Sequence, residues 1–133
     1  MYEGESRPVL QNIFSLSYIK NEGIAFGLFP EHSQWLMIIS LLTISIILFL
    51  LFRIKNINLW IASAFGLVLG GAIGNLWDRI FLSGVIDFID IGFKNYRWPA
   101  FNLADAVICI GVFMLLLTIN KKEKGEQRAS CIF

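Results

Sequence analysis

The sequence predicts an all-α polytopic membrane bundle with a small extracytoplasmic β-sheet at its N-terminus. Three observations carry this expectation. The chain is 56% hydrophobic with a mean hydropathy of +0.68, well beyond the range of most soluble domains. Three long runs hold one charge between them, and each is long enough to cross most of a bilayer. Ahead of them lies a short stretch that alternates apolar and polar residues as a half-buried strand does. At 133 residues there is room for one domain. A formal net charge of +1 provides no basic footprint for nucleic acid and no acidic tail.

The first 33 residues are expected to form the extracytoplasmic β-segment. Glu3, Glu5 and Arg7 interrupt the start, and no apolar core of signal-peptide length follows them. In "NIFSLSYIKN", Ile13, Ser15 and Ser17 alternate with Phe14, Leu16 and Tyr18, a pattern rich in aromatic and β-branched residues. Asn21-Glu22-Gly23 reads as a turn, and "IAFGLF" as a returning strand.

Residues 34–120 form the predicted bundle. Its spans are Trp35–Phe52, Leu59–Trp77 and Phe101–Ile119, and only the third carries a charge, Asp105. At about 1.5 Å per residue each covers most of the roughly 30 Å hydrocarbon layer. The alternative, three core helices of a soluble protein, leaves too little polar chain to wrap them. Ala62, Gly66, Gly70 and Gly74 recur every four residues and so share one helix face, where another helix could approach closely. Trp35, Trp60, Trp77 and Trp98 fall near span ends, as interfacial aromatics do.

Charge distribution orients the bundle. Arg53 and Lys55 follow the first span; Lys121, Lys122, Lys124 and Arg128 lie in the tail, residues 121–133. Both segments belong on the cytoplasmic side. The N-terminal segment, which has more acid than base, and the balanced 78–100 connection belong outside. Cys109 sits in an apolar run and reads as a small buried hydrophobe. Cys131 lies in a solvated tail, so the two make no disulfide framework.

With that orientation the polar residues converge. Asn75, Asp78 and Arg79 lie at the outer end of the second span, Asp87 and Asp90 on the outer connection, and Asn102 and Asp105 at the start of the third span. Each has a plain structural explanation. Asp78 and Arg79 could be a snorkelling pair, Asn102 and Asp105 a helix N-cap and its capping-box partner, and Asp90 a solvated acid. Together at one membrane level they point to a functional site, because ionisable groups at that depth are expensive.

The residue types narrow the chemistry. His32 is the only histidine, so no serine–histidine arrangement exists, and neither His/Cys spacing nor a calcium-loop pattern predicts a metal. No cofactor is expected. A pair of aspartates remains. Two close carboxylates cannot both ionise easily, so one keeps a proton. The ionised partner can then activate a water while the protonated one donates to a carbonyl oxygen. Composition and spacing leave open which two pair. Asp87 and Asp105 are attractive because the Trp98-Pro99 connection could fold one over the other. A proton-relay or cation-binding subunit would need a further polar trail toward the cytoplasm, which the uncharged inner runs do not offer. A purely structural bundle would leave Asp105 unexplained.

Four stretches carry a resemblance to a known family: "NEGIAFG" at 21–27, "GGAIGNLWDR" at 70–79, "GVIDFID" at 84–90 and "WPAFNLADA" at 98–106. In this order they resemble lipoprotein signal peptidase, the type II signal peptidase of bacterial inner membranes. The resemblance implies catalytic Asp87 and Asp105, with support from Asn21, Asn75, Asp78, Arg79 and Asn102. It implies a monomeric, multi-pass membrane aspartyl endopeptidase that cleaves prolipoproteins before a diacylglyceryl-modified cysteine. The active site would lie at the extracytoplasmic face, beside a sheet resting on membrane lipid. The family has four spans. A counterpart of the first, which precedes the sheet, is not among these 133 residues, so this chain is expected to be less stable than a relative that carries it.

Overall fold

The computed structural model describes residues 1–23, 33–54, 57–93 and 96–130, without the side chains of 33, 34 and 119–130. Two strands open the chain, β1 (Ser6–Leu10) and β2 (Phe14–Asn21). Two helices follow, α1 (Ser33–Arg53) and α2 (Leu59–Leu82), then β3 (Val85–Phe93), β4 (Tyr96–Arg97) and α3 (Leu103–Ser130). The four strands form one antiparallel sheet in the order β1-β2-β3-β4.

The helical bundle with a small sheet is present, but the sheet differs from the expectation in its membership and size. It is not confined to the N-terminus: β3 and β4 come from the connection between the second and third helices. "VIDFIDIGF" is β-branched and aromatic at most positions, which suits a pleated, half-buried strand. The returning strand expected at "IAFGLF" lies outside the described residues. β1 and β2 are instead joined by a tight hairpin at Gln11–Ile13, in which Asn12 takes a left-handed conformation (φ 63°) that asparagine tolerates well. Along β2 the serines are buried and the aliphatics are not: Ser15 and Ser17 are buried, whereas Leu16 and Ile19 are exposed.

α2 lies at the centre of the bundle and packs against both α1 and α3. Its N-terminus is capped by Asn58, whose Oδ1 accepts from the Ile61 amide at 2.9 Å. It ends at Ser83, which adopts a left-handed conformation (φ 59°) and turns the chain directly into β3. Ile47 of α1 meets Phe65 and Val68 of α2 in a small buried cluster. α1 and α2 have the length and hydropathy to cross a membrane, and only 11% of the α1 window is buried against 39% for α2. The described apolar part of α3, Leu103–Thr118, is shorter than such a span.

The close helix contact uses only the end of the predicted small-residue face, Gly74, where a Cβ would meet Ala104 Cβ at 3.5 Å. Ala62, Gly66 and Gly70 are exposed, and a Cβ added at Gly66 or Gly70 would meet nothing within 4 Å. α2 and α3 instead approach at Gly71 and Gly111. A Cβ at Gly71 would lie 2.5 Å from the Ala104 carbonyl oxygen, and one at Gly111 2.7 Å from that of Ala64. Gly71 is one residue round the helix from the expected stripe, a rotation of about 100° at 3.6 residues per turn. Spacing shows that a small-residue face exists; only the neighbouring helices show which face is used.

Candidate active site

Three local structures meet where the C-terminal end of α2 adjoins the N-terminal end of α3. The first is the start of α3. Asn102 is its N-cap: its Oδ1 accepts from the Asp105 amide at 3.0 Å, and Asp105 Oδ2 accepts in return from the Asn102 amide at 3.3 Å. This is a reciprocal capping box with Asn and Asp in place of the commoner Ser and Glu. The second is the last part of α2, where Asn75 is buried and Arg79, one turn on, donates from Nη1 to the Asn75 carbonyl at 3.1 Å. The third is β3, which presents Asp87 with only 4% of its surface exposed.

A backbone bridge fixes the first structure to the third. The amides of Phe88 and Ile89 both donate to the Phe101 carbonyl, and Phe101 donates back to Ile89. Asp87 lies just before this pair on one strand, and Asn102 just after it on the other. The two are therefore delivered to the same place by main-chain geometry.

The side chains then close into one network. Asn102, 4% exposed, donates from Nδ2 both to Asp87 Oδ1 (3.1 Å) and to Asn75 Oδ1 (3.2 Å). Asn75 donates from its own Nδ2 to Asp105 Oδ1 at 2.8 Å. Asn21, from the end of β2, donates to Asp87 Oδ2 at 2.9 Å and is itself oriented by the Gly23 amide, which donates to its Oδ1 at 3.0 Å. Each carboxylate oxygen of Asp87 and Asp105 thus accepts one hydrogen bond, and Asn102 touches both acids.

The two acids line one pocket of about 440 Å³, together with Asn21 and Arg79. Its remaining wall is largely apolar and includes Val85, Trp98 and Phe101. Burial pushes the Asp87 carboxyl above its ordinary range. Hydrogen bonds from Asn21 and Asn102 work against that shift, the charge of nearby Asp105 adds to it, and Arg79 opposes it. Among the described residues no group of His, Cys, Asp and Glu could hold a metal ion.

The family model described as signal peptidase (SPase) II matches residues 1–121. The chain belongs to the signal peptidase II family. It is 44% identical over 126 residues to the lipoprotein signal peptidase of Syntrophomonas wolfei, covering 94% of this chain and 81% of that protein. It is 37% identical over 125 residues to the lipoprotein signal peptidase of Geobacter sulfurreducens, covering 92% and 78%. Two solved structures described as bacterial membrane enzymes share its fold. One has a TM-score of 0.85 at 27% identity, covering 94% of this chain and 76% of that one, and the other 0.78 at 28%, covering 90% and 77%. Family and structural neighbours together indicate a bacterial membrane enzyme, and signal peptidase II membership makes it a peptidase.

Of the residues anticipated for this peptidase site, Asn21, Asn75, Arg79, Asp87, Asn102 and Asp105 come together. Asp78 does not join the hydrogen-bond network or line the pocket; it is half-buried and reaches the site only as a charge near Arg79. Two sequence expectations are corrected nearby, and one residue was missed. Asp90 is not a solvated acid: its side chain is 15% exposed and accepts from Arg97 Nε at 2.8 Å. Cys109 is exposed, on the same face of α3 as Asp105, and lines the pocket. Arg97 went unremarked in the sequence because its partners, Asp90 and Ser15, are reached only through strand pairing.

Proposed function

We propose that this chain removes signal peptides from diacylglyceryl-modified prolipoproteins, cleaving before the lipidated cysteine with Asp87 and Asp105 as an aspartic dyad. The observation that carries this is the Asn102 amide, which binds an oxygen of Asp87 through its side chain while its backbone binds an oxygen of Asp105. Two carboxylates held on one residue cannot both ionise cheaply. Burial favours the proton on Asp87. Asp105 sits in the first turn of α3, where the helix dipole favours negative charge.

The mechanism follows from these roles. Asp105 takes a proton from a water in the pocket, and the resulting hydroxide attacks the scissile carbonyl carbon. Asp87 gives its proton to the carbonyl oxygen, forming the neutral tetrahedral diol. Collapse of the diol breaks the C–N bond as the proton held by Asp105 passes to the leaving amine, and Asp87 recovers its proton from the diol hydroxyl. No metal or cofactor takes part. Asn21, Asn75 and Asn102 hold the acids in place. Arg79, whose Nε is buried without a hydrogen-bond partner, keeps donor capacity beside them.

The apolar remainder of the pocket suits a substrate whose lipid stays in the bilayer while its scissile bond sits at the surface. The enzyme is proposed to work at the extracytoplasmic face of the bacterial inner membrane, as a monomer in contact with lipid. Cleavage of a diacylated prolipoprotein by the purified chain tests this directly. Asp87→Asn and Asp105→Asn are each expected to abolish cleavage, and chelators to leave it unchanged. Normal processing by either variant refutes the dyad.

A further inference from the structure

A second polar cluster lies on the sheet, on the side away from Asp87. Asp87 and Asp90 are three residues apart in β3, so their side chains emerge on opposite faces. On the Asp90 face, one polar side chain or more from every strand converges. Arg97 of β4 donates from Nε to Asp90 Oδ1 (2.8 Å) and from Nη2 to Ser15 Oγ of β2 (3.0 Å). Ser17 of β2 donates to Asp90 Oδ2 (3.2 Å) and lies 2.9 Å from Ser6 Oγ of β1. Ser15 and Ser17 are nearly fully buried.

The placement of Arg97 in the chain gives this cluster a consequence for the site. β4 is two residues long and pairs with β3 only at Gly92 and Phe93. Four residues after Arg97 comes Phe101, whose bridge to Ile89 delivers Asn102 to Asp87. Beyond β4 this arm is tied to β3 by main-chain bonds, the Trp98 amide to the Ile91 carbonyl and the Phe101 bridge. The Arg97 fork joins it to β3 and to β2 at once, and β2 also carries Asn21, the other donor to Asp87. Two donors in one plane suit this task, which a lysine point charge cannot reproduce.

We propose that Arg97 is a positioning residue for the dyad: by bonding Asp90 and Ser15 on the outer face of the sheet, it fixes the β3–β4 hairpin so that Asp87 and Asn102 meet in register. This rests on the proposed dyad chemistry. Arg97 is 42% exposed, so its ion pair contributes little to global stability. Its effect falls on geometry, where small misplacements of reacting groups cost large factors in rate.

The test uses the full chain and a diacylated prolipoprotein substrate, with kcat, KM and thermal midpoint measured for wild type, Arg97→Ala, Arg97→Lys and Ser15→Ala. Arg97→Ala is expected to lower kcat about ten-fold with KM and the midpoint little changed. Arg97→Lys should recover part of kcat, and Ser15→Ala, which removes only the Nη2 bond, should lose less in the same direction. If Arg97→Ala does not accumulate, the Ser15→Ala and Arg97→Lys results decide. Wild-type kcat in these variants, or a loss that only tracks the folded fraction, overturns the proposal. A wild-type chain that does not cleave the substrate at all overturns the dyad function instead, so the two failures are distinguishable.

Discussion

Asn102 offers a sharp test of how the site is built, because it serves two purposes that can be separated. Its Oδ1 caps α3, and its Nδ2 bridges Asp87 and Asn75. Asn102→Ala removes both. Loss of an N-cap costs about 1 kcal/mol. Leaving a buried acceptor unsatisfied costs about 1–3 kcal/mol, and Asp87 Oδ1 and Asn75 Oδ1 are both affected. Because they share one network these do not add fully, and a loss of roughly 2–4 kcal/mol is expected. Cleavage should fall by about 10²-fold, as for removal of one preorganised donor at a reacting centre. Asn102→Ser separates the two roles. A serine hydroxyl caps as well as an asparagine, but its single proton cannot serve both Asp87 and Asn75. The serine variant should regain the capping share of stability, read by thermal unfolding in detergent, while turnover of a diacylated lipopeptide stays low. If Asn102→Ser cleaves at the wild-type rate, the bridge is dispensable and Asn102 is only a cap.

Two further outcomes follow from the packing and the charge. Gly71→Ala would drive a Cβ against the Ala104 carbonyl and Ile108, forcing α2 from α3 just where Asn75 must reach Asp105. It should destabilise by about 1–3 kcal/mol and reduce cleavage, whereas Gly66→Ala and Gly70→Ala, with open space around them, should do neither; equal effects at all three would show that Gly71 is not the contact. Burial holds the folded-state pKa of Asp87 above its ordinary value of 3.8, so the folded chain binds the proton more tightly than the unfolded one. The associated stability is complete below the ordinary value and is lost as pH rises through the raised one. The thermal midpoint of the wild type relative to Asp87→Asn should therefore fall as pH rises across that window, and a flat difference would remove the case for a buried proton on Asp87.

What the sequence shows of this site depends on how local each interaction is. The capping box is legible because Asn102 and Asp105 are three residues apart and an N-x-x-D spacing at a helix start has few other uses. The strand character of "VIDFIDIGF" is also present in the residues, in its β-branched alternation, although two aspartates disguise it as a polar connection. Long-range pairings are a different matter. Asn21 reaches Asp87 across 66 positions, and Arg97 reaches Ser15 across 82. Neither follows from spacing, because strand order and register are set by the whole sheet. Asp78 and Asp90 show the converse error. By composition they look equivalent to Asp87, and only the fold separates a network member from a neighbour. The glycine face was visible as a period of four, but the choice between Gly70 and Gly71 depends on where α3 lies.

The same reasoning explains why the bland and the functional accounts of Asn102 and Asp105 are not rivals. A helix N-terminus needs acceptors for its free amides, and a carboxylate there satisfies them while gaining from the dipole. That holds the Asp105 side chain rigidly, with both oxygens hydrogen-bonded, before any substrate arrives. The proposed dyad then needs a second acid in a different environment. β3 supplies it by burying Asp87 among donors from β2 and the cap. Because Asn102 is common to both halves, an error in capping is at once an error in the distance between the acids. In the proposed dyad a capped helix start therefore faces a strand, and the three asparagines around it, Asn21, Asn75 and Asn102, supply hydrogen-bond donors without adding a charge.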